Sequence, residues 1–130
     1  AAAKVAGKMI GVDSDQSPII DAYGEGMTVT SAMKGLGATV KAMLNSIIVD
    51  GTWEEHVGKI ENLGLVSGTD TSVNYVGLPE DTTQWNENFT VEDYHQLVQK
   101  IYDGEIQIDN SIDKMPEVSV KVNERQGSIM

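Results

Sequence analysis

Two charged side chains, each at the end of a short β-rich segment, form the strongest candidate site in this sequence. Asp13 ends the segment Lys8–Asp13, and Lys34 ends the segment Met27–Lys34. Short apolar runs of this kind are typical of strands in a parallel sheet. In open α/β sheets, ligands bind just beyond the carboxyl ends of such strands. If the two strands are neighbours, both side chains converge on one edge of the sheet.

A carboxylate and an ammonium group at one edge can divide the hydroxyl groups of a sugar between them. Asp13 can accept two hydrogen bonds at once, which suits a vicinal diol such as that of ribose, and Lys34 can donate. The alternative interpretation is an aspartate in a solvated turn and a surface lysine, because Asp is common in turns for local reasons. The residues alone leave both interpretations open. Asp15, which follows closely, is of a type that more often caps a turn than binds a ligand.

The same stretch also imitates a receiver-like signalling domain, in which an acidic pair holds Mg²⁺ beside a hydroxyl and a lysine. The residues with these roles would be Asp13, Asp15, the Thr30–Ser31 pair and Lys34. A receiver needs a further aspartate on a separate strand between the acidic pair and the hydroxyl. Only Asp21 lies there, outside any predicted strand. The receiver hypothesis therefore ranks below the sugar-binding hypothesis.

Composition excludes several functional classes. The 130 residues include 20 acidic and 9 basic ones, for a formal net charge of −11, and such a surface repels nucleic acids. The absence of cysteine excludes a thiol nucleophile, a thiolate metal site and a disulfide framework. No run approaches the ~18 apolar residues of a membrane span. His56 and His95 lack partners at metal-ligand spacing, and no nucleophile–base pair is evident, so we expect neither an enzyme nor a bound cofactor.

The remaining pattern predicts one α/β domain, because two amphipathic helices follow the β-rich segments. Apolar residues recur at helical spacing in Gly35–Val49 and in Val91–Asp103. Thr90 is the predicted N-cap of the second helix, and Asp93 stands in the position of a capping box. Before them, a short helical turn is expected around Ile19–Tyr23, after the break at Pro18.

We predict a small, largely parallel sheet built on Met9–Val12 and Val29–Ala32 and flanked by both helices. Residues 1–122 are assigned to this domain, and residues 123–130 to a flexible tail. Three weaker patterns indicate further strands, at Lys59–Val66, Val73–Leu78 and Val118–Val122. The first seven residues have the composition of the end of a helix. We therefore expect the chain to be the carboxyl-terminal part of a longer protein.

Two stretches resemble a known family. The stretch Ile10-Gly11-Val12-Asp13-Ser14-Asp15-Gln16, followed by Val29–Lys34 and a long helix, is similar to the basic membrane lipoprotein family. These proteins, which include purine nucleoside receptor-like members, are the substrate-binding lipoproteins of nucleoside ABC transporters. The later segments Leu63–Leu65 and Asn74–Leu78, with a helix running into Ile101–Ile106, follow the closing order of the family. The resemblance extends from residue 1 to about residue 122.

The resemblance implies a type I periplasmic-binding-protein fold, in which two α/β lobes enclose a ligand in the cleft between them. It implies that Asp13 holds the ribose hydroxyls of a nucleoside and that Lys34 also contacts the ribose. Asp15 and Ser31 are further ligand-binding candidates. In the full-length protein, the resemblance implies an ABC transporter permease as partner and an extracytoplasmic, lipid-anchored location. Because the family's proteins are well over twice as long, we expect this chain to be part of one lobe, without signal peptide or anchor.

Three other classes of function stay open at this stage. One is the ligand-sensing domain of a sugar-type transcription regulator, which shares the fold. The others are the receiver-like domain and an interaction module without a ligand. A partial sheet leaves an unpaired strand edge and uncovered apolar faces, which recruit other chains, so we expect a homo-oligomer. We also expect weak or undetectable nucleoside affinity for this chain by itself, because binding proteins of this type close two lobes around the ligand.

Overall fold

The computed structural model describes residues 2–109, 113, 117–119 and 121 and has a mixed α/β fold. Its open three-stranded sheet has the order β1-β2-β3 and is formed by Met9–Asp13 (β1), Thr28–Lys34 (β2) and Val76–Gly77 (β3). The α-helices in the described residues are Ser17–Ile20 (α1), Leu36–Asn45 (α2) and Val91–Tyr102 (α3). Short 3₁₀ helices lie at Ala2–Val5, Asp21–Tyr23, Trp53–Glu55 and Thr71–Val73, and a π-helical turn lies at Ser46–Asp50. None of the helices in this part of the chain has both the length and the apolar character needed to cross a bilayer.

The strands β1 and β2 are hydrogen-bonded neighbours and run parallel, as the sequence predicts. Their register pairs Ile10 with Thr30 and Asp13 with Met33, after an irregularity at Met9. Both strands therefore end at the same edge of the sheet. The strand β3 is antiparallel to β2 and pairs with it only at Met33 and Lys34, so the sheet is mixed.

The connection from β1 to β2 is short and anchored by polar contacts. Pro18 lies in the first turn of α1, where its missing N–H costs no hydrogen bond, and a 3₁₀ turn follows, in agreement with the predicted helical turn. Ile20 is buried beneath this connection. Asp21 Oδ1 accepts hydrogen bonds from the backbone N–H of Thr28, at 2.9 Å, and from its hydroxyl, at 2.8 Å. These bonds fix the point at which β2 begins.

The helix α3 begins and packs as its sequence predicts. Thr90 Oγ1 accepts a hydrogen bond from the N–H of Asp93, and the Asp93 carboxylate accepts one from the N–H of Thr90, which completes the capping box. Tyr94 and Val98 are buried on the inner face of the helix. The Tyr94 hydroxyl accepts a hydrogen bond from the N–H of Leu78 at 3.1 Å, which joins α3 to the chain just after β3.

The prediction that the Leu36–Ile48 helix covers the sheet is wrong. This segment forms α2 and the π-helical turn, but no residue of α2 is buried. Leu36, Val40 and Leu44 are 59%, 58% and 50% exposed. An apolar stripe shows that a helix has a face suited to burial, but it does not show which surface covers that face. In the described residues this stripe faces outward.

The three weaker strand predictions have different outcomes. No strand forms at residues 59–66, where single hydrogen bonds replace a ladder: Asn74 Oδ1 accepts from the N–H groups of Val66 and Ser67. The prediction at Val73–Leu78 is confirmed only for the two residues of β3. At 118–122, the described positions 118, 119 and 121 are not in a strand, and the other two lie outside the described residues. The predicted tail at 123–130 lies outside them as well.

Gly11 provides a test of how tightly β1 and β2 pack. A Cβ atom added at Gly11 would lie 2.5 Å from Ser31 Oγ and 2.8 Å from the Cβ of Gln16. We expect Gly11→Ala to lower the free energy of unfolding by about 1–3 kcal/mol, because an extra carbon in a filled space forces its neighbours apart. Gly37→Ala is the matched control, since nothing lies within 4 Å of its added Cβ and alanine favours a helix. Equal urea midpoints for the two variants would contradict this packing.

The exposed stripe of α2 provides a test of the expected self-association. We expect the native chain to form dimers or larger species as its concentration rises, because large exposed apolar patches associate in water. Leu44→Lys should shift the light-scattering mass toward the monomer. Ile60→Lys is the matched control, because Ile60 is 99% exposed and lies outside the stripe. A monomeric native chain at high concentration would contradict the expectation.

Candidate functional site

The structure brings Asp13 and Lys34 together at the edge where β1 and β2 end. Asp13 Oδ1 lies 2.8 Å from Lys34 Nζ, and the two side chains are 59% and 65% exposed. Within the pair, the ammonium group has further donors and the carboxylate has further lone pairs available for other partners. The pair therefore offers hydrogen-bond donors and acceptors side by side on an open surface.

Asp13 has an unusual backbone conformation for a residue other than glycine. Its φ angle is +76°, in the left-handed region, which Asp and Asn enter more readily than other residues with a Cβ atom. Such conformations cost on the order of 1–3 kcal/mol and are found more often at functional sites. The angle turns the chain immediately after β1, at the residue whose carboxylate faces Lys34.

The contact with Asp13 favours the protonated, positively charged form of Lys34. The hydrogen bond to Asp13 and, next, the electrostatic attraction of that carboxylate raise the pKa of Lys34 above its ordinary value. Lys34 is therefore protonated at neutral pH and acts only as a donor. The pair as a whole is close to electrically neutral, although the chain carries a net charge of −11.

Asp15, the third candidate, is held by its own neighbours. Its Oδ1 accepts a hydrogen bond from the N–H of Ser17 at 3.0 Å, and its Oδ2 accepts one from the Thr82 hydroxyl at 2.9 Å. Partial burial acts to raise the pKa of Asp15, but the hydrogen bonds from Ser17 and Thr82 outweigh it and lower the pKa. The carboxylate thus shapes the turn before α1 and ties it to the loop that contains Thr82.

Ser31, the fourth candidate, lies behind the edge of the sheet. Its side chain is fully buried, and its Oγ accepts a hydrogen bond from the N–H of Gln16 at 3.1 Å. This bond joins the middle of β2 to the turn that follows Asp13. In this arrangement Ser31 supports the position of Asp13 and presents no surface to a ligand.

The carboxylates named for a receiver-like site do not converge. Asp13 pairs with Lys34, Asp15 bonds to Ser17 and Thr82, and Asp21 bonds to Thr28. Among the described residues, no group of three or more His, Cys, Asp or Glu side chains is placed to hold a metal ion. The oxygen ligands that Mg²⁺ prefers are therefore not gathered at this edge.

A cluster centred on Glu80 lies near the same edge and had no signal in the sequence. Glu80 Oε1 lies 2.7 Å from the Thr71 hydroxyl, which donates to it, and 3.0 Å from His95 Nε2. These bonds, first that from Thr71 and then that from His95, lower the pKa of Glu80 against the opposing effect of burial. The backbone oxygen of Glu80 accepts from Trp85 Nε1 at 2.8 Å. Glu80 thus joins the 3₁₀ helix at 71–73, its own loop and α3.

Two depressions adjoin Lys34. One, of about 250 Å³, is partly polar and is lined by Lys34, Thr71, Ser72 and Glu80 among others. The other, of about 600 Å³, is mostly apolar and extends from Lys34 along α3. Small-molecule sites span ~300–1,000 Å³, so the larger depression is within that range and the smaller one is just below it. Lys34 is therefore the charged residue that links the exposed pair with Asp13 to both depressions.

No protein-family model, curated protein or solved structure matches the chain.

The titration of Lys34 provides a test of the pair in solution. Asp13→Asn should lower the Lys34 pKa toward the ordinary lysine value, because it removes the carboxylate charge, whereas Asp15→Asn should leave it raised. The measurement is an NMR titration of the Lys34 Nζ signal. The sign follows from the raised pKa: the pair stabilises the native state below the unfolded-state pKa, and this contribution is lost as pH rises through the folded-state pKa. Identical Lys34 titrations in the native chain and Asp13→Asn would contradict the pairing.

Proposed function

We propose that the chain is part of a substrate-binding lobe that captures nucleosides, with Asp13 and Lys34 holding the ribose hydroxyls. The observation that carries the proposal is the exposed pair with its 2.8 Å contact at the carboxyl ends of two neighbouring parallel strands. This edge is the usual location of ligands in open α/β sheets. The resemblance to the basic membrane lipoprotein family supplies the identity of the ligand.

The chemistry of the pair suits a vicinal diol. Two neighbouring hydroxyls can donate to the two carboxylate oxygens of Asp13, while Lys34 donates to a hydroxyl oxygen. Hydrogen bonds to charged groups are stronger than those between neutral groups, so few of them are needed to orient a sugar. The left-handed backbone at Asp13 sets the direction in which its side chain leaves the end of β1. No bond is made or broken in this proposal, which is one of capture alone.

Charge favours a nucleoside over a nucleotide. The pair is close to neutral, and the chain carries 20 acidic against 9 basic residues, so a phosphate group is repelled by the surrounding field. A neutral ribose has no such penalty and can use both members of the pair. The proposal therefore excludes a phosphorylated sugar as the preferred ligand.

The wider context of the proposal follows from the same resemblance. In the full-length protein, the mixed α/β unit would belong to one lobe of a type I periplasmic-binding-protein fold, and a second lobe would close over the ligand. The partner would be an ABC transporter permease, and the location would be extracytoplasmic and lipid-anchored. Because both side chains of the pair are more than half exposed, one lobe by itself encloses little of a ligand.

Binding of simple nucleosides tests the proposal directly. We expect adenosine, uridine and ribose to perturb the NMR signals of Asp13 and Lys34, with affinity in the millimolar range because the site is open. Asp13→Asn should weaken binding by about tenfold, since it removes a charged acceptor worth ~1.5–3 kcal/mol. Asp50→Asn, which removes one exposed charge away from the pair, is the matched control.

Two results would count against this proposal. One is an absence of any perturbation at Asp13 and Lys34 up to the solubility limit of the nucleosides. The other is a perturbation that Asp13→Asn leaves unchanged. Affinity in the low micromolar range would leave the ligand class intact but contradict the expectation that an open site binds weakly.

A further inference from the structure

The larger depression beside Lys34 is an apolar groove between the sheet and α3. We define the apolar groove by the side chains that form its walls, which are Ala32, Leu65, Leu78, Tyr94, Val98 and Ile101. Its volume of about 600 Å³ is enough for a bicyclic aromatic group or a short alkyl chain. Lys34 lies at one end, so the groove begins where the candidate sugar site ends.

The walls of the apolar groove offer a ligand very little polar contact. Among the described residues that line it, Lys34 is the charged one, and the others are apolar side chains, glycines and Tyr94. The hydroxyl oxygen of Tyr94 already accepts a hydrogen bond from the N–H of Leu78, which leaves its O–H as a single further donor. A polar heterocycle placed here would lose hydrogen bonds to water without replacing them, which is unfavourable. An apolar group would gain from leaving water.

The mouth of the apolar groove selects against a charged head group. The ammonium of Lys34 is neutralised by the Asp13 carboxylate at 2.8 Å, and that carboxylate repels an anion. The net charge of −11 adds to this repulsion. A neutral group with several hydroxyls meets both a donor and an acceptor there. Lys34 connects the two environments, since it lines the groove and its nitrogen contacts Asp13.

We propose that the apolar groove receives the apolar aglycone of a riboside whose hydroxyls are held by Asp13 and Lys34. The inference rests on the proposed function for the sugar end and goes beyond it at the other end of the ligand. It assigns tighter binding to ribosides with an aromatic hydrocarbon or alkyl aglycone than to nucleosides, which share the contacts of the sugar with Asp13 and Lys34 but keep their polar base in water, outside the groove. Apolar contact area then sets the ranking of ligands, and the hydroxyls set their orientation.

A graded series of ribosides tests this assignment on the native chain. The probes are methyl, phenyl and 2-naphthyl β-D-ribofuranoside, with adenosine as the polar-base comparison and 2-naphthyl methyl ether as the aglycone without its sugar. Affinity should rise along the series, by about tenfold from methyl to 2-naphthyl, because each step buries more apolar area. In methyl-detected NMR, signals of Leu78 and Ile101 should move with the aryl ribosides and stay fixed with the methyl riboside.

Two variants separate the ends of the ligand. Ile108→Gln places a polar group at the exposed margin of the groove, which Ile108 also lines, and should weaken the 2-naphthyl riboside severalfold while sparing the methyl riboside. Ile60→Gln, at a fully exposed position elsewhere, is the matched control. Asp13→Asn should weaken every riboside alike.

The outcomes distinguish the groove from the sugar site. If the methyl riboside perturbs Asp13 and Lys34 but the aryl ribosides bind no better, or adenosine binds more tightly than the 2-naphthyl riboside, the groove assignment is overturned and the proposed function stands. If 2-naphthyl methyl ether binds as well as its riboside, and Asp13→Asn changes neither, both the sugar site and the riboside assignment are overturned. If raising the protein concentration alone moves the groove methyl signals, a second copy occupies the groove and the assignment fails.

Discussion

The parallel pairing of β1 with β2 is the constraint on which the candidate site depends. Its register places Asp13 beside Met33, so that the carboxylate of one strand and the ammonium of Lys34 on the next meet at one edge. A slip of one residue would send the side chains of either strand to the opposite face. Two contacts oppose such a slip: the close approach of Gly11 to Ser31, and the hydrogen bond from Gln16 to the same serine. The position of the candidate site is therefore set by Gly11 and Ser31, two small buried residues that lie beneath the edge of the sheet.

The features that could be predicted from sequence are those whose physical cause is local. The capping box of Thr90 and Asp93 spans one helical turn, and the proline turn after β1 needs only the fixed φ of Pro18. The two neighbouring strands were predictable because both carry a β-rich pattern and the connection between them is short. Their adjacency also brings Asp13 and Lys34 together, which is the part of the candidate site that the sequence indicated.

The features that escaped prediction depend on contacts between distant segments. Asn74 Oδ1 accepts hydrogen bonds from the N–H groups of Val66 and Ser67, and the segment before them is a loop held by these bonds where a strand was predicted. The hydrogen bond between His95 and Glu80, which lies fifteen positions earlier in the chain, has no local pattern that would predict it. The apolar stripe of α2 predicts burial, but this periodicity shows only that one face of a helix is apolar. In each case the residue types indicate what kind of contact can form. They do not indicate which distant segment of the chain provides that contact.

The left-handed backbone at Asp13 has an evolutionary consequence that its charge alone would not. Glycine and asparagine can adopt this conformation at little cost, whereas β-branched and bulky residues cannot. Lys34 is an exposed residue at the end of β2, where many residue types are tolerated. If the pair holds a sugar as proposed, a lineage that lost this binding would still keep a narrow set of residue types at position 13 but would accept many types at position 34. An aspartate kept at position 13 would therefore indicate mainly that the turn is kept. A lysine kept at position 34 would be the stronger indication of ligand binding.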